Sequence, residues 1–291
     1  MSILISNVTK NYGAKHALRG MNLTIENDKI YGLLGRNGAG KTTLMKLVAG
    51  HDLPSNGQIT INGKNPFNNR EALKDICYIS ESNNFKKRLK IKEVLKISSL
   101  FYPNWSNETA LRLLEVFQLD LKMNTKGLSK GMESALGITI GLASRAKLTI
   151  FDEPYIGLDA SARYKFYDLI LEEFEEYPRT FVLSTHLIDE VSNLFEEVIL
   201  MRSGELLLHE QTEEMVENSM IVSGNREKVD SFISGKNVLH ESTLVGSKTV
   251  ILYGEKMDLR EAKNAGIEAE RCNIQQLMVH LTEEQGGKMY V

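Results

Sequence analysis

Gly35-Arg36-Asn37-Gly38-Ala39-Gly40-Lys41-Thr42 follows the apolar run Lys29 to Leu34 and opens the helically patterned segment Lys41 to Ala49. The spacing fits G-x-x-x-x-G-K-[ST], and strand, loop and helix stand in the order which that pattern requires. Glycines let the backbone turn so that successive N–H groups face a phosphate, and the N-terminus of the following helix adds its dipole. Lys41 then reaches the β and γ phosphates, and the Thr42 hydroxyl is placed to hold Mg2+. The bland alternative is a glycine-rich turn, which the flanking strand and helix weigh against.

Outward from this loop, the first 80 residues read as strands with one strong helix. Leu4 to Val8, Leu18 to Ile25, Lys29 to Leu34 and Gly57 to Asn62 have strand character, the last closed by the turn pair Asn62-Gly63. From Asn84 to Ser144 the pattern turns helical: Ile91, Val94, Leu95 and Ser98 follow the 3.6 period, and Leu111, Leu114, Phe117 and Leu119 follow it again. Next come strand Leu148 to Phe151, helix Ala160 to Glu175, strand Thr180 to Ser184, helix Leu187 to Phe195 and strand Glu197 to Met201. Strands alternating with helices imply a mostly parallel α/β core. Beyond Met215 the pattern predicts strand 219–223, helix 226–233, strands 238–243 and 248–253, helix 258–265, strand 267–271 and helix 273–284. That β-α-β-β-α-β order matches a ferredoxin-like unit with an added helix.

Composition narrows the class. Thirty-five basic against 38 acidic residues leave a net charge of -3, which lacks the basic bias of a nucleic-acid binder. The run Lys86, Lys87, Arg88, Lys90 and Lys92 reads first as a solvated helix face. The two cysteines, Cys77 and Cys272, lie far apart in no metal-like spacing and are expected as core or semi-buried thiols of a reducing compartment. Met1 to Lys10 has no apolar leader core, and Ala135 to Ser144 is too short to span a bilayer. A cytoplasmic chain is expected, with any membrane work done through a partner.

A phosphate cradle names no reaction, so the remaining chemistry must come from elsewhere. Leu148 to Phe151 runs into Asp152-Glu153-Pro154, and alternation along a strand would send the two carboxylates opposite ways. Asp152 suits the Mg2+ shell and Glu153 suits polarising an attacking water opposite the γ-phosphate; two acids capping a strand end are the plain alternative. His186 follows the next strand and either touches the γ-phosphate or starts a helix. In Leu128-Ser129-Lys130-Gly131-Met132, Ser129 is an N-cap whose exposed helix end is also an anion site. Tyr12 is either a strand aromatic or a stacking plate for adenine.

Together these residues resemble the nucleotide-binding subunit of the ATP-binding cassette family over about residues 1 to 217. The features run in the family's order: Tyr12 as the adenine-stacking aromatic, the phosphate loop, Glu81 at the Gln-loop position, Leu128 to Met132 as the signature, Asp152-Glu153, Gly157-Leu158-Asp159 as the D-loop, and His186 as the switch histidine. Phe101-Tyr102-Pro103-Asn104-Trp105 with this signature looks like the small Gram-positive exporter subunits, including exporters of phenol-soluble modulins and antimicrobial peptides. Two positions depart from the family pattern: Glu81 stands where Gln is usual, and Lys130 replaces a signature glycine.

The resemblance implies an α/β P-loop NTPase of the ABC type, with an antiparallel β subdomain, a parallel-sheet core and a helical subdomain at 84–144. Residues 1–217 would form this cassette and 218–291 a small C-terminal α+β ferredoxin-like accessory domain. Catalysis would fall to Glu153, His186 and Lys41. ATP would be bound by Tyr12, Gly35, Asn37, Gly38, Ala39, Gly40, Lys41, Thr42 and Thr43, with Ser129, Lys130, Gly131 and Asp159 acting across a dimer of nucleotide-binding subunits. Mg2+ would be held by Thr42, Glu81 and Asp152. A transmembrane permease subunit is the implied partner and nucleic acid is not. A soluble cassette ATPase working on DNA or ribosomes would need two cassettes or long coiled-coil arms, and the interval from Thr42 to Ser129 is too short for arms.

Overall fold

The computed structural model describes residues 2–81, 84–85 and 88–283. Lys86 and Lys87 of the basic run, and the last residue of the helix expected at 273–284, lie outside them. The chain starts with β1 (Ile3–Tyr12) and β2 (Lys15–Ile25), then β3 (Ile30–Leu34), α1 (Lys41–Val48), β4 (Asn56–Ile61), α2 (Arg70–Leu73) and β5 (Ile76–Ile79). A helical stretch follows as α3 (Ile91–Phe101), α4 (Asn107–Val116) and α5 (Lys130–Ala143). The chain returns to alternation with β6 (Leu148–Asp152), α6 (Ala160–Glu176), β7 (Thr180–Ser184), α7 (Ile188–Val191), β8 (Glu197–Arg202), β9 (Glu205–Gln211) and α8 (Thr212–Glu217).

β2, β1 and β4 form an antiparallel sheet. The central sheet runs β5-β6-β7-β3-β8-β9, parallel throughout except for the β8–β9 pair. β3, β6 and β7 are buried at every position, as expected of parallel strands covered on both faces. This is the P-loop architecture that the resemblance implies, with the glycine loop leaving β3 at the carboxyl end of the sheet.

Some elements differ from the sequence reading. α4 buries Thr109, Ala110, Leu113 and Leu114, whereas Leu111 is 48% exposed. Thr109 and Ala110 share the contact face with the two leucines, and Thr109 donates to the buried carboxylate of Glu173, a signal that counting large apolar residues passes over. The helix expected over Leu187 to Phe195 is one turn, α7, followed by a 3-10 turn at Ser192–Leu194. The Phe195 ring then occupies the space beside Gly32, where a Cβ would lie 2.4 Å from it. β5, β9, α2 and α8 are short elements that periodicity did not isolate.

The remaining chain is β10 (Ser219–Asn225), α9 (Arg226–Ile233), β11 (Val238–Leu244), β12 (Ser247–Tyr253), α10 (Leu259–Asn264), β13 (Glu268–Glu270) and α11 (Ile274–Thr282). Its antiparallel sheet has the order β11-β12-β10-β13, the ferredoxin-like arrangement. Alternation divides its faces. Val222, Val250 and Leu252 pack with Val229 of α9 and Ala262 of α10, while Ile251 and Tyr253 join Leu277 and Leu281 of α11 in the core that continues into the cassette. α11 touches α7, α8 and β8 on one side and β11 on the other. No helix among the described residues is long and apolar enough to cross a membrane. Cys77 and Cys272 are both free and buried, and burial pushes the Cys272 thiol up to about 12.

Candidate functional site

The phosphate loop is held open by backbone that no other residue would tolerate. Gly40 N-caps α1 at φ 104°, where a Cβ would meet the Ala17 carbonyl at 2.7 Å, so the first N–H groups of α1 stay unobstructed. Lys41 is 8% exposed, and its ammonium donates to the carbonyls of Gly35 (2.6 Å) and Arg36 (3.5 Å). Burial lowers its pKa, and the charges of Glu153 and Asp152 act against that. A buried cation bonded to neutral carbonyls beside a glycine cradle fits an anionic ligand. Asn37, Gly38 and Thr42 are exposed at the mouth, Thr43 is half-buried and Ala39 is buried.

β6 and β7 bring the carboxylates to this loop. Asp152 pairs in register with Ser184, and its Oδ1 accepts from the Ser184 hydroxyl at 2.7 Å, while Tyr78 donates to Oδ2 at 3.2 Å. Alternation stops at Asp152: Glu153 leaves the strand in the left-handed region at φ 51°, so the orientation of its side chain is set by the turn rather than by the strand. The Glu153 backbone N–H also donates to Ser184 Oγ, at 3.0 Å, and His186 Nδ1 lies 2.7 Å from Glu153 Oε2. Since a carboxylate only accepts, that ring nitrogen carries the proton.

Tyr155 joins these groups, and the sequence reading passed over it. It is 4% exposed, and its hydroxyl donates to Glu153 Oε2. It accepts from Thr185 Oγ1 and from the His186 backbone N–H, both at 2.9 Å. One donation and two acceptances complete a phenol's capacity. Burial, and then the hydrogen bond to Glu153, raise its pKa and keep it protonated. Ser184 was passed over as well, although the β6–β7 register places it beside Asp152.

The other expected residues form the rim. Ser129 N-caps α5, accepting from the Met132 N–H at 3.2 Å, and Lys130 beside it is exposed. Gly131 packs on the backbone of Gly157, where a Cβ would sit 2.4 Å from the Gly157 carbonyl, so the start of α5 and the turn before α6 share one close contact. Asp159 N-caps α6 through the Ala162 N–H at 2.8 Å. Tyr12 is 46% exposed, and its hydroxyl donates to Asp52 at 2.9 Å beside the Thr43 side chain. Glu81 is exposed, and it follows Ser80, whose N–H and hydroxyl both donate to Asn84 Oδ1.

Residues 18–156 match the ABC transporter family. The chain is 31% identical over 268 residues to the bacitracin transport ATP-binding protein of Bacillus licheniformis, covering 90% of this chain and 82% of that protein. It is 32% identical over 230 residues to the lantibiotic transport ATP-binding protein of Streptococcus pyogenes, covering 76% of this chain and 99% of that one. Among solved structures, the ATP-binding subunit of an ABC transporter superposes with a TM-score of 0.66 at 24% identity, over 73% of this chain and 91% of the other. An ATP-binding cassette solved as a dimer in a post-hydrolysis state with ADP and phosphate gives 0.64, also at 24% identity, over 72% of this chain and 98% of the other.

Proposed function

The chain belongs to the ATP-binding cassette transporter family as an ATP-binding and ATP-hydrolysing subunit, and on that premise we propose that it drives a separate membrane-spanning subunit exporting peptides or other amphipathic compounds. The observation that carries the peptide-transport reading is the 268-residue match to a bacitracin transport ATP-binding protein, which is too long to be confined to the cassette.

In this reading the phosphate loop and α1 bind the ATP phosphates through backbone N–H groups, with Lys41 exchanging its carbonyl contacts for phosphate oxygens. Tyr12 stacks on adenine. Thr42, Asp152 and Glu81 offer oxygen donors, the ligand type Mg2+ prefers; when bound, that ion neutralises phosphate charge. Glu153 takes a proton from the attacking water, and His186 faces the γ-phosphate. Tyr155 fixes Glu153 and His186 relative to one another through a saturated hydroxyl. Ser129 to Gly131 and Asp159 sit on the rim where a second nucleotide-binding subunit, identical or related, would close over the nucleotide.

The permease is proposed to seat in the cleft between β5 and α3, lined by Ile79, Asn84, Phe85, Val94, Ile97 and Phe101. Ile97 and Phe101 are 43% and 68% exposed there, an apolar surface suited to a partner. The chain would then lie on the cytoplasmic face of the membrane through that partner. Deleting the gene should raise susceptibility to membrane-active peptide antibiotics, with rescue by the parent chain and not by Glu153→Gln. Unchanged susceptibility across such peptides would overturn export as the direction or peptides as the cargo.

A further inference from the structure

His240 on β11, His280 near the end of α11 and Glu283 just beyond it meet at the seam between the ferredoxin-like sheet and α11. One ligand-capable atom from each lies within 4.8 Å of the others. The imidazole rings of His240 and His280 stack with centroids 4.1 Å apart, and His280 Nδ1 lies 3.3 Å from Glu283 Oε2. His240 Nδ1 is buried and has no hydrogen-bond partner among the described residues. A buried ring nitrogen without a partner is costly, and a bound cation taking one lone pair from each imidazole would relieve that cost. The β11 register shifts between Val238 and His240, the kind of irregularity that re-aims a side chain, here on the strand that contacts α11.

We propose that His240, His280 and Glu283 form a binding site for a divalent transition-metal ion of the zinc class, separate from the nucleotide site. Two imidazoles and one carboxylate, with a fourth position left to water, make the donor set of an open zinc site. Mg2+ and Ca2+ prefer all-oxygen shells, so the ion proposed for the phosphate loop does not compete here. Tetrahedral coordination at ordinary zinc–nitrogen distances brings ligand atoms to about 3.3 Å of one another. Rotation of the side chains, led by the 38%-exposed Glu283, covers the difference. The ion would tie the accessory sheet to the end of α11, where the Leu281 carbonyl accepts from Arg202 and Thr282 lines a cavity with Arg36 to Ala39 of the phosphate loop.

Calorimetric titration of the nucleotide-free full chain with Zn2+ alone, in magnesium-containing buffer, tests this. One equivalent should bind to the parent and be lost in His240→Ala and in His280→Ala, and Glu283→Gln should weaken it by about tenfold or more. His186→Ala, at the histidine–glutamate pair beside the phosphate loop, should keep the equivalent. Zn2+ should raise the melting temperature of the parent and not of the histidine variants. If a histidine variant fails to fold, Glu283→Gln, which alters a half-exposed side chain, carries the test. No Zn2+ uptake by the parent overturns the site, and so does an equivalent that persists undiminished in folded His240→Ala or in Glu283→Gln.

Discussion

The carboxyl ends of β3, β6 and β7 and the apolar core under the sheet of β10 to β13 are held together in different ways. At the first, Lys41, Asp152, Ser184 and Tyr155 are all buried and each makes two or more hydrogen bonds, so the position of each group is set by several bonds at once. The second is built around Met220, Val222, Val250 and Leu252, which need only the right volume on the right face. A site of the first kind loses function when a single atom changes; a core of the second kind loses stability in proportion to the volume removed. The two regions meet at α11, whose apolar face continues the cassette core.

The sharpest break of that comparison is Glu153→Gln, which keeps the size of the side chain but removes the proposed proton acceptor. ATP should still bind while turnover falls by about 10²–10⁴-fold, and a dimer should accumulate with Mg-ATP. A variant hydrolysing at nearly the parent rate would remove Glu153 from its proposed role.

The seam comes next. Leu277 is fully buried between α11 and the cassette, and Leu277→Ala should cost about 2–5 kcal/mol of stability, read as a lower midpoint in chemical denaturation. ATP affinity should stay near that of the parent. Truncation after Glu217 removes α11 entirely and exposes its seat on α7, α8 and β8, so a larger loss of stability is expected, again with ATP binding retained. A truncated chain that is folded yet no longer binds ATP would place part of the nucleotide site in the C-terminal unit.

Legibility follows the same division. The phosphate loop can be read because its chemistry demands particular residue types at fixed spacing, and the C-terminal sheet can be read because its short apolar runs and helical stretches follow one another in the β-α-β-β-α-β order. Tyr155 is hidden because its role depends on the turn after Pro154 folding its ring back toward β7, which no local pattern announces. α4 misleads for a related reason, since its contact face uses Ala110 and Thr109, and apolar counting favours the exposed Leu111.

Tyr155→Phe asks whether the hub acts through position alone. It removes one hydroxyl and leaves the ring in place, so the chain should fold normally. Glu153 and His186 lose the atom they share, and turnover should fall about tenfold, roughly one hydrogen bond's worth of orientation. The KM for ATP should change less than turnover, because among the groups that Tyr155 bonds only His186 is proposed to face the nucleotide. An equal loss in KM and turnover would point to general damage at the site instead.

The smallest expected effect is at Glu81, where the two regions' rules can be weighed at a single atom. The glutamine usual at this position offers Mg2+ a neutral carbonyl oxygen, whereas a carboxylate brings a full negative charge toward Asp152, Glu153 and the γ-phosphate. Either group can complete an octahedral oxygen shell. The charge should therefore be accommodated with metal present and repelled without it. Glu81 is exposed, so solvent screens that repulsion, and an effect of about 1 kcal/mol, fivefold or so in affinity, is the scale to expect. Nucleotide binding should depend more steeply on free Mg2+ in the parent than in Glu81→Gln, which should retain hydrolysis. Titrations of both proteins over a range of Mg2+ decide the matter: superimposable curves would end the metal-ligand role and leave contact with the membrane partner as the function of this side chain.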